Sequence, residues 1–149
     1  MTETYYLNRD VLPTMPVPHD CVIKKIRQKD QYIEFVFEDD ISDYDSIKHQ
    51  KPDAQSLIIR YHFAYDPDDY SIYQWIKPNR LLAKLFSMEG RYRRIKNSRL
   101  TKLSEGGRRL EYLSHNVGYC SLIVKLHSNT PIILDADIDY VEYEWILKH

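Results

Sequence analysis

The chain has 149 residues, with 21 basic and 22 acidic side chains, 43% hydrophobic residues, four glycines and two cysteines. A chain of this length buries roughly 68–70% of its unfolded surface, which is enough for one domain with a substantial core. Its apolar runs are shorter than the ~20 residues of a membrane span, and its first residues lack the apolar stretch of a signal peptide. Two distant cysteines exclude a disulfide framework. We therefore expect a single cytoplasmic domain, residues 1–149, without a membrane partner.

The first predicted element is a hairpin that follows an extended lead-in. Three prolines in residues 11–19 disfavour helix and leave that segment extended. Beyond it, two β-rich segments flank the polar tetrad 28–31, and Ile33, Phe35 and Phe37 of the second segment share one face. This period of two predicts a half-buried β-hairpin.

The middle of the chain predicts a loop, two strands and a helix. The acidic segment 39–53 has few large apolar residues and is typical of an irregular surface connection, whereas residues 55–65 and 71–77 have strand patterns. Apolar residues at helical spacing predict one short helix at about 80–89, with Asn79 as its N-cap and Gly90 as its stop.

From Arg91 onward, closely spaced turn signals separate short segments that suit a meander of antiparallel strands, among them RLTKL at 99–103 and GYCSLIVKLH at 118–127. The fold class is therefore mainly β: an antiparallel sandwich or partly closed barrel, which the helix could cover at one end. The apolar sides of the period-two segments give the expected core: Phe35, Phe37, Ile59, Phe63, Val124 and Trp145.

Two clusters could bind a metal ion, but a structural role is the preferred interpretation of both. His19 and Cys21 could bind zinc if the fold brought His115 or His127 to them. Cys120 instead lies in register with apolar neighbours, so both thiols are expected to be buried and reduced. Asp135, Asp137 and Asp139, alone or with Asp66, Asp68 and Asp69, could hold a cation, although they do not form an EF-hand. We expect no metal and no cofactor.

The charge is unevenly distributed. Residues 80–109 contain ten basic side chains and two acidic ones, while the remaining residues have nine more acids than bases. Such asymmetry concerns partners and association rates rather than fold. Motifs typical of catalysis, such as GxGxxG, HExxH and GxSxG, do not occur in the sequence, and an enzyme is the less favoured class.

The basic segment and nearby aromatic residues form the candidate partner-binding site, because Tyr and Trp supply flat, amphipathic contact area. Its predicted members are Arg91, Arg93, Arg94, Arg99, Lys102, Tyr73 and Trp75. A protein partner is favoured; the alternatives are a sugar or other small molecule in a Tyr/Trp-lined cleft, and single-stranded nucleic acid. A deep closed pocket would favour the small molecule, and a flat surface with separated charge poles would favour the protein. The oligomeric state is left open.

Residues 18–39 also resemble a known group of proteins. Pro18-His19-Asp20-Cys21, followed by apolar residues at 23 and 26 and the segment Tyr32–Asp39, looks like the start of small uncharacterised bacterial β-rich families, some of them immunity-protein-like. The resemblance implies a small cytosolic protein that acts by binding, of immunity or adaptor type. It transfers no catalytic residue.

Overall fold

The fold is a sandwich of two antiparallel five-stranded sheets, seen in a computed structural model that describes all residues, 1–149. Sheet 1 has the strand order β1-β10-β4-β3-β2, and sheet 2 has the order β6-β5-β9-β8-β7. Neither sheet closes on itself, so the structure confirms the predicted mainly β class as a sandwich. The strands are β1 Thr2–Tyr6, β2 Ile23–Gln28, β3 Tyr32–Phe37, β4 Ala54–Phe63, β5 Tyr70–Ile76, β6 Arg91–Ile95, β7 Glu111–Gly118, β8 Ser121–Ser128, β9 Thr130–Ala136 and β10 Ile138–Leu147.

Short helical elements occur only in the connections. Helix α1 spans Asp45–Lys48 and helix α2 spans Arg80–Phe86. Single 3-10 turns cover Ile41–Asp43, Asn97–Arg99 and Thr101–Ser104.

The core lies between the facing sheets and contains all six residues expected there, each at most 9% exposed. Phe35 on β3 illustrates the packing, since its ring lies 5.1 Å from that of Tyr61 in the same sheet and 6.5 Å from that of Tyr112 in the other sheet. Both contacts are edge-to-face, a favourable aromatic geometry. The alternation read from the sequence thus places these strands with the correct face inward.

Backbone hydrogen bonds join the two sheets along one side. The amide of Asp20 donates to the carbonyl of Tyr112 at 2.8 Å, and the amide of Tyr112 donates to the carbonyl of Cys21 at 3.0 Å. Elsewhere the chain passes from sheet 2 to sheet 1 through the single residue Asp137, between β9 and β10. The terminal strands are β1 and β2 in sheet 1 and β6 and β7 in sheet 2; β2 and β7 meet at the bridge between Val22 and Glu111, while β1 and β6 lie at the opposite ends of their sheets.

Three local predictions are wrong. The segment 99–103 forms 3-10 turns instead of a strand, because Leu100 and Leu103 lie three residues apart and both turn towards the core. The connection 39–53 contains α1 and a 3-10 turn, which bury Ile41 and Ile47. Cys120 is half-buried in a turn with a φ of 47°, so it does not continue the apolar register of β8; Cys21 is buried as expected.

The outer face of sheet 1 carries a network of compensated charges. The buried carboxylate of Glu34 accepts hydrogen bonds from Arg27 at 2.8 Å and Arg60 at 2.9 Å, and Arg60 also pairs with Glu144 at 2.7 Å. Burial alone would raise the pKa of Glu34, but the bonds from the two guanidinium groups outweigh it and hold that pKa below its ordinary value. The charges of this four-residue network are therefore satisfied within the molecule.

The half-buried His115 predicts a pH dependence of stability. Burial lowers the pKa of this imidazole, and its Nδ1 lies 2.7 Å from the hydroxyl oxygen of Tyr112, within hydrogen-bond distance. The unfolded chain protonates His115 near pH 6.5, and the folded protein, with its lower His115 pKa, protonates it less at that pH, so the unfolded state binds more protons. The free energy of unfolding should fall as the pH decreases below about 6.5.

Urea denaturation at pH values from about 7.5 to 5 measures this effect. We expect His115→Gln to flatten the dependence in this window, and the control His49→Gln, at an exposed position, to retain it. An unchanged slope in His115→Gln would contradict the assignment.

Candidate functional site

Strands β5 and β6 pair so that several predicted site residues lie side by side. Tyr73 faces Arg94 in the antiparallel register, and Trp75 faces Tyr92. All four side chains are on the outer face of sheet 2, where the rings of Trp75 and Tyr92 pack edge-to-face at 5.1 Å. The structure thus joins Tyr73, Trp75 and Arg94 and adds Tyr92, an aromatic residue of the basic segment that the predicted set omitted.

Gly90 allows Trp75 to lie flat against the chain that enters β6. A Cβ at this position would come within 2.4 Å of the indole ring, which is closer than non-bonded carbon atoms approach. Helix α2 ends earlier, at Phe86, and its C-cap Ser87 has the left-handed φ of 50°. Gly90 is therefore needed for the approach of Trp75, and its predicted role as the helix stop is wrong.

The other basic residues lie on the opposite side of the same hairpin. Arg91 and Arg93 alternate with Tyr92 and Arg94, so they share the inner face with Gln74. An open cleft of about 380 Å³ lies beside Gln74. Its polar lining includes Gln74, Arg99, Lys102, Glu105, Arg108 and Ser128. The seven predicted residues thus lie at one edge of sheet 2, but on both of its faces.

The cations of this edge form no ion pairs. None of Arg91, Arg93, Arg94, Arg99 and Lys102 lies within ion-pair distance of a carboxylate. All five are exposed, in contrast to the paired arginines of sheet 1. We call the residues 91–94, together with Tyr73 and Trp75, the hairpin surface.

An acidic cluster adjoins the hairpin surface. Arg94 borders a second open cleft, of about 230 Å³, on whose walls lie Asp68, Asp69, Asp135 and Asp137. Burial, reinforced by the charges of Asp69 and Asp135, raises the pKa of Asp137. The structure therefore gathers part of the predicted acidic set, whereas Asp139 accepts a hydrogen bond from Asn8 at 2.7 Å instead.

Helix α2 presents its apolar side to solvent. Asn79 caps the helix as predicted, since its side chain accepts a hydrogen bond from the amide of Leu81 at 2.9 Å. At 3.6 residues per turn the four large apolar residues fall within an arc of roughly 140°. They are 42–68% exposed, and only Ala83 of the helix is half-buried. The four are Leu81, Leu82, Leu85 and Phe86.

The structure does not place the helix across one end of the sandwich, the arrangement considered from the sequence. A surface helix normally turns its apolar arc towards the core. Here that arc has no partner within the chain. These four exposed side chains, on the helix that connects β5 to β6, are the part of the site that the sequence pattern did not reveal. Helical periodicity predicts the helix but does not show which of its sides faces the core.

The structure does not assemble His19 and Cys21 with other side chains into a metal site. The Sγ atom of Cys21 is buried, which raises the pKa of its thiol to about 12, and the imidazole of His19 lies against the carbonyl of Leu113, 2.7 Å from it. Across the chain, no three His, Cys, Asp or Glu side chains are arranged to hold a metal ion.

No family model matches the chain, and no curated protein or solved structure is significantly similar to it. None of its helices combines the length and the apolar composition that crossing a bilayer requires.

Proposed function

We propose that the protein is a non-enzymatic binding protein that engages another protein through the hairpin surface and helix α2. The observation that carries this proposal is the contrast between the arginines of the two sheets: Arg27 and Arg60 of sheet 1 are paired with carboxylates, while the arginines of the hairpin surface are not. Apolar and aromatic side chains at the centre with arginines around them are typical of protein interfaces. The exposed apolar side of helix α2 is likewise typical of a protein-interaction site.

The shape of the surface favours a protein over a small molecule. The clefts beside the hairpin are open and lined mainly by polar or charged groups. Sites for small molecules are usually enclosed, mostly apolar cavities with a few convergent polar groups. A sugar or other small ligand therefore has less support than a protein partner.

The adjoining acidic cluster weighs against nucleic acid. Asp68, Asp69 and Asp135 lie within the same cleft as Arg94, so a phosphate backbone that followed the cations would meet carboxylates there. A protein partner can match both signs of charge in one interface, and such complementarity chiefly raises the association rate and the specificity. The resemblance of residues 18–39 supports an immunity or adaptor role in the cytoplasm.

The first test addresses nucleic acid directly. Fluorescence anisotropy with a labelled single strand of about 20 nucleotides at near-physiological salt compares wild type with Arg93→Glu/Arg94→Glu/Arg99→Glu. We expect no binding by either protein. Micromolar or tighter binding by wild type that the variant loses would contradict the protein-partner proposal, because the cations would then serve a polyanion.

The second test measures partner capture. Tagged wild type, the same triple variant and Leu85→Asp/Phe86→Asp are compared by quantitative mass spectrometry after enrichment from native lysate. We expect at least one protein to be enriched by wild type and reduced by about tenfold or more in both variants. The matched control Lys24→Glu/Lys25→Glu/Lys29→Glu makes the same charge change at an exposed part of the β2–β3 hairpin and should retain the partner. Equal enrichment by all four proteins would contradict the assignment of the surface.

A further inference from the structure

Strand β6 has an unpaired backbone edge. It bonds only to β5, and no backbone hydrogen bond outside that pairing involves residues 91–95. Each residue of the strand from Arg91 to Arg94 is exposed. An edge of this kind presents a row of free N–H and C=O groups that can pair with another strand.

The side chains of β6 restrict which strand can pair there. Arg91 and Arg93 point to one face, and Tyr92 and Arg94 point to the other. A second copy of β6 would bring six arginines together across the new pair, and like charges opposite each other destabilise strand pairing. Charge therefore protects this edge from self-association while leaving it open to a strand of opposite sign.

The two faces of β6 favour different side chains in an added strand. On the inner face, Arg91 and Arg93 lack carboxylate partners, so they fit Glu or Asp at alternate positions of an added strand. On the outer face, Arg94 borders the acidic cleft, while Tyr92 packs on Trp75 and offers aromatic area that fits an apolar or β-branched side chain. The complementary strand thus alternates acidic and apolar residues.

Resting on the protein-binding function above, we propose that the partner contributes an extended segment that adds to β6 as a sixth strand of sheet 2. Backbone hydrogen bonds supply the attachment, and the alternation of carboxylate and apolar side chains supplies the specificity, as in other complexes formed by strand addition. Of the other terminal strands, β2 and β7 meet each other at the bridge between Val22 and Glu111. Strand β1 carries an acid and no base in the sequence TETYY, so it does not attract the same segment.

The probe is a fluorescent peptide of about eight residues in which Glu and Val alternate, a length within the usual range of strands. Its comparison peptide has the same sequence with alternate backbone nitrogens methylated, which keeps the charge but blocks one hydrogen-bonding edge. We expect the unmodified peptide to bind at least about tenfold more tightly than the methylated one. The variant Arg91→Glu/Arg93→Glu should bind the unmodified peptide about tenfold or more weakly than wild type does. The affinity of the control Lys24→Glu/Lys25→Glu for that peptide should stay within about twofold of the wild-type value.

Amide hydrogen exchange locates the bound peptide. Saturating peptide should slow the exchange of alternate amides within 91–95 and leave β1 unchanged. Equal affinity for the two peptides, protection at β1 instead of β6, or no binding at millimolar peptide and low salt would each overturn strand addition. Dimerisation of the protein alone through β6, seen by sedimentation and by cross-strand labelling, would overturn it as well.

These outcomes are distinct from those of the protein-binding test. If the peptide fails while a cellular partner is still captured by wild type and lost by the charge and helix variants, strand addition is wrong and the protein-binding function stands. If nucleic acid binds the surface instead, the protein-binding function fails first.

Discussion

Replacing Phe35 with Ala is expected to lower the free energy of unfolding by about 3–5 kcal/mol. The side chain is fully buried and its ring contacts Tyr61 in sheet 1 and Tyr112 in sheet 2. Truncation therefore removes apolar contacts between the sheets and leaves a cavity that the two tyrosines cannot fill without moving. Chemical denaturation monitored by tryptophan fluorescence measures the change.

Phe86 offers a matched control, because it is the same residue type with 68% of its surface exposed on helix α2. Phe86→Ala should change the free energy of unfolding by less than about 0.5 kcal/mol, as expected for an exposed position. A large loss in this control would mean that the helix packs against the domain, and a negligible loss in Phe35→Ala would mean that β3 faces the wrong way.

Glu34→Ala is expected to cost about 2–4 kcal/mol at pH 7. The Glu34 side chain is 6% exposed and bonds to Arg27 and Arg60, so its removal leaves the partly buried Arg60 with Glu144 alone. The value is below that of a fully buried pair because the Arg27 side chain is 44% exposed and is screened by solvent. Glu144→Gln, at the more exposed end of the same network, should cost less than about 1 kcal/mol.

Acidification provides an independent check. The folded protein holds the pKa of Glu34 below its ordinary value of 4.5. The ionised Glu34 carboxylate therefore stabilises the fold fully above about pH 4.5, and this stabilisation is lost as the pH falls through the folded pKa. The difference between wild type and Glu34→Ala should therefore shrink in strongly acidic solution. A difference that stays constant would assign the effect of the substitution to packing rather than charge.

Strand prediction succeeded where one face is continuously apolar. The alternation in β3 and β4 specified both the strands and their buried faces, because a shift of one residue would expose the whole apolar set. Strand β1 was missed since its pattern alternates exposed with half-buried residues and lacks an aliphatic face. The leucines of 99–103 misled the strand assignment, because two apolar residues cannot distinguish a strand from successive 3-10 turns.

The candidate site was predicted in composition but not in arrangement. The charge run identified the arginines, and the aromatic content identified Tyr73 and Trp75. Which residues of β5 and β6 lie opposite each other depends on the register of the two strands, and the fourteen residues between them form no tight turn from which that register could be predicted. The outward orientation of α2 also depends on what lies beneath the helix, since its sequence alone is that of an ordinary surface helix.

The position of β10 has a consequence for the time at which the protein can fold on the ribosome. This strand lies between β1 and β4, pairing Glu144 with Thr2 and Tyr143 with Ile59, yet it is synthesised long after both. Until it emerges, β4 presents an apolar edge and β1 has no neighbour, so the nascent chain is exposed to chaperones and to aggregation. Pairings this distant in sequence also slow folding after release, towards the millisecond-to-second range of all-β domains.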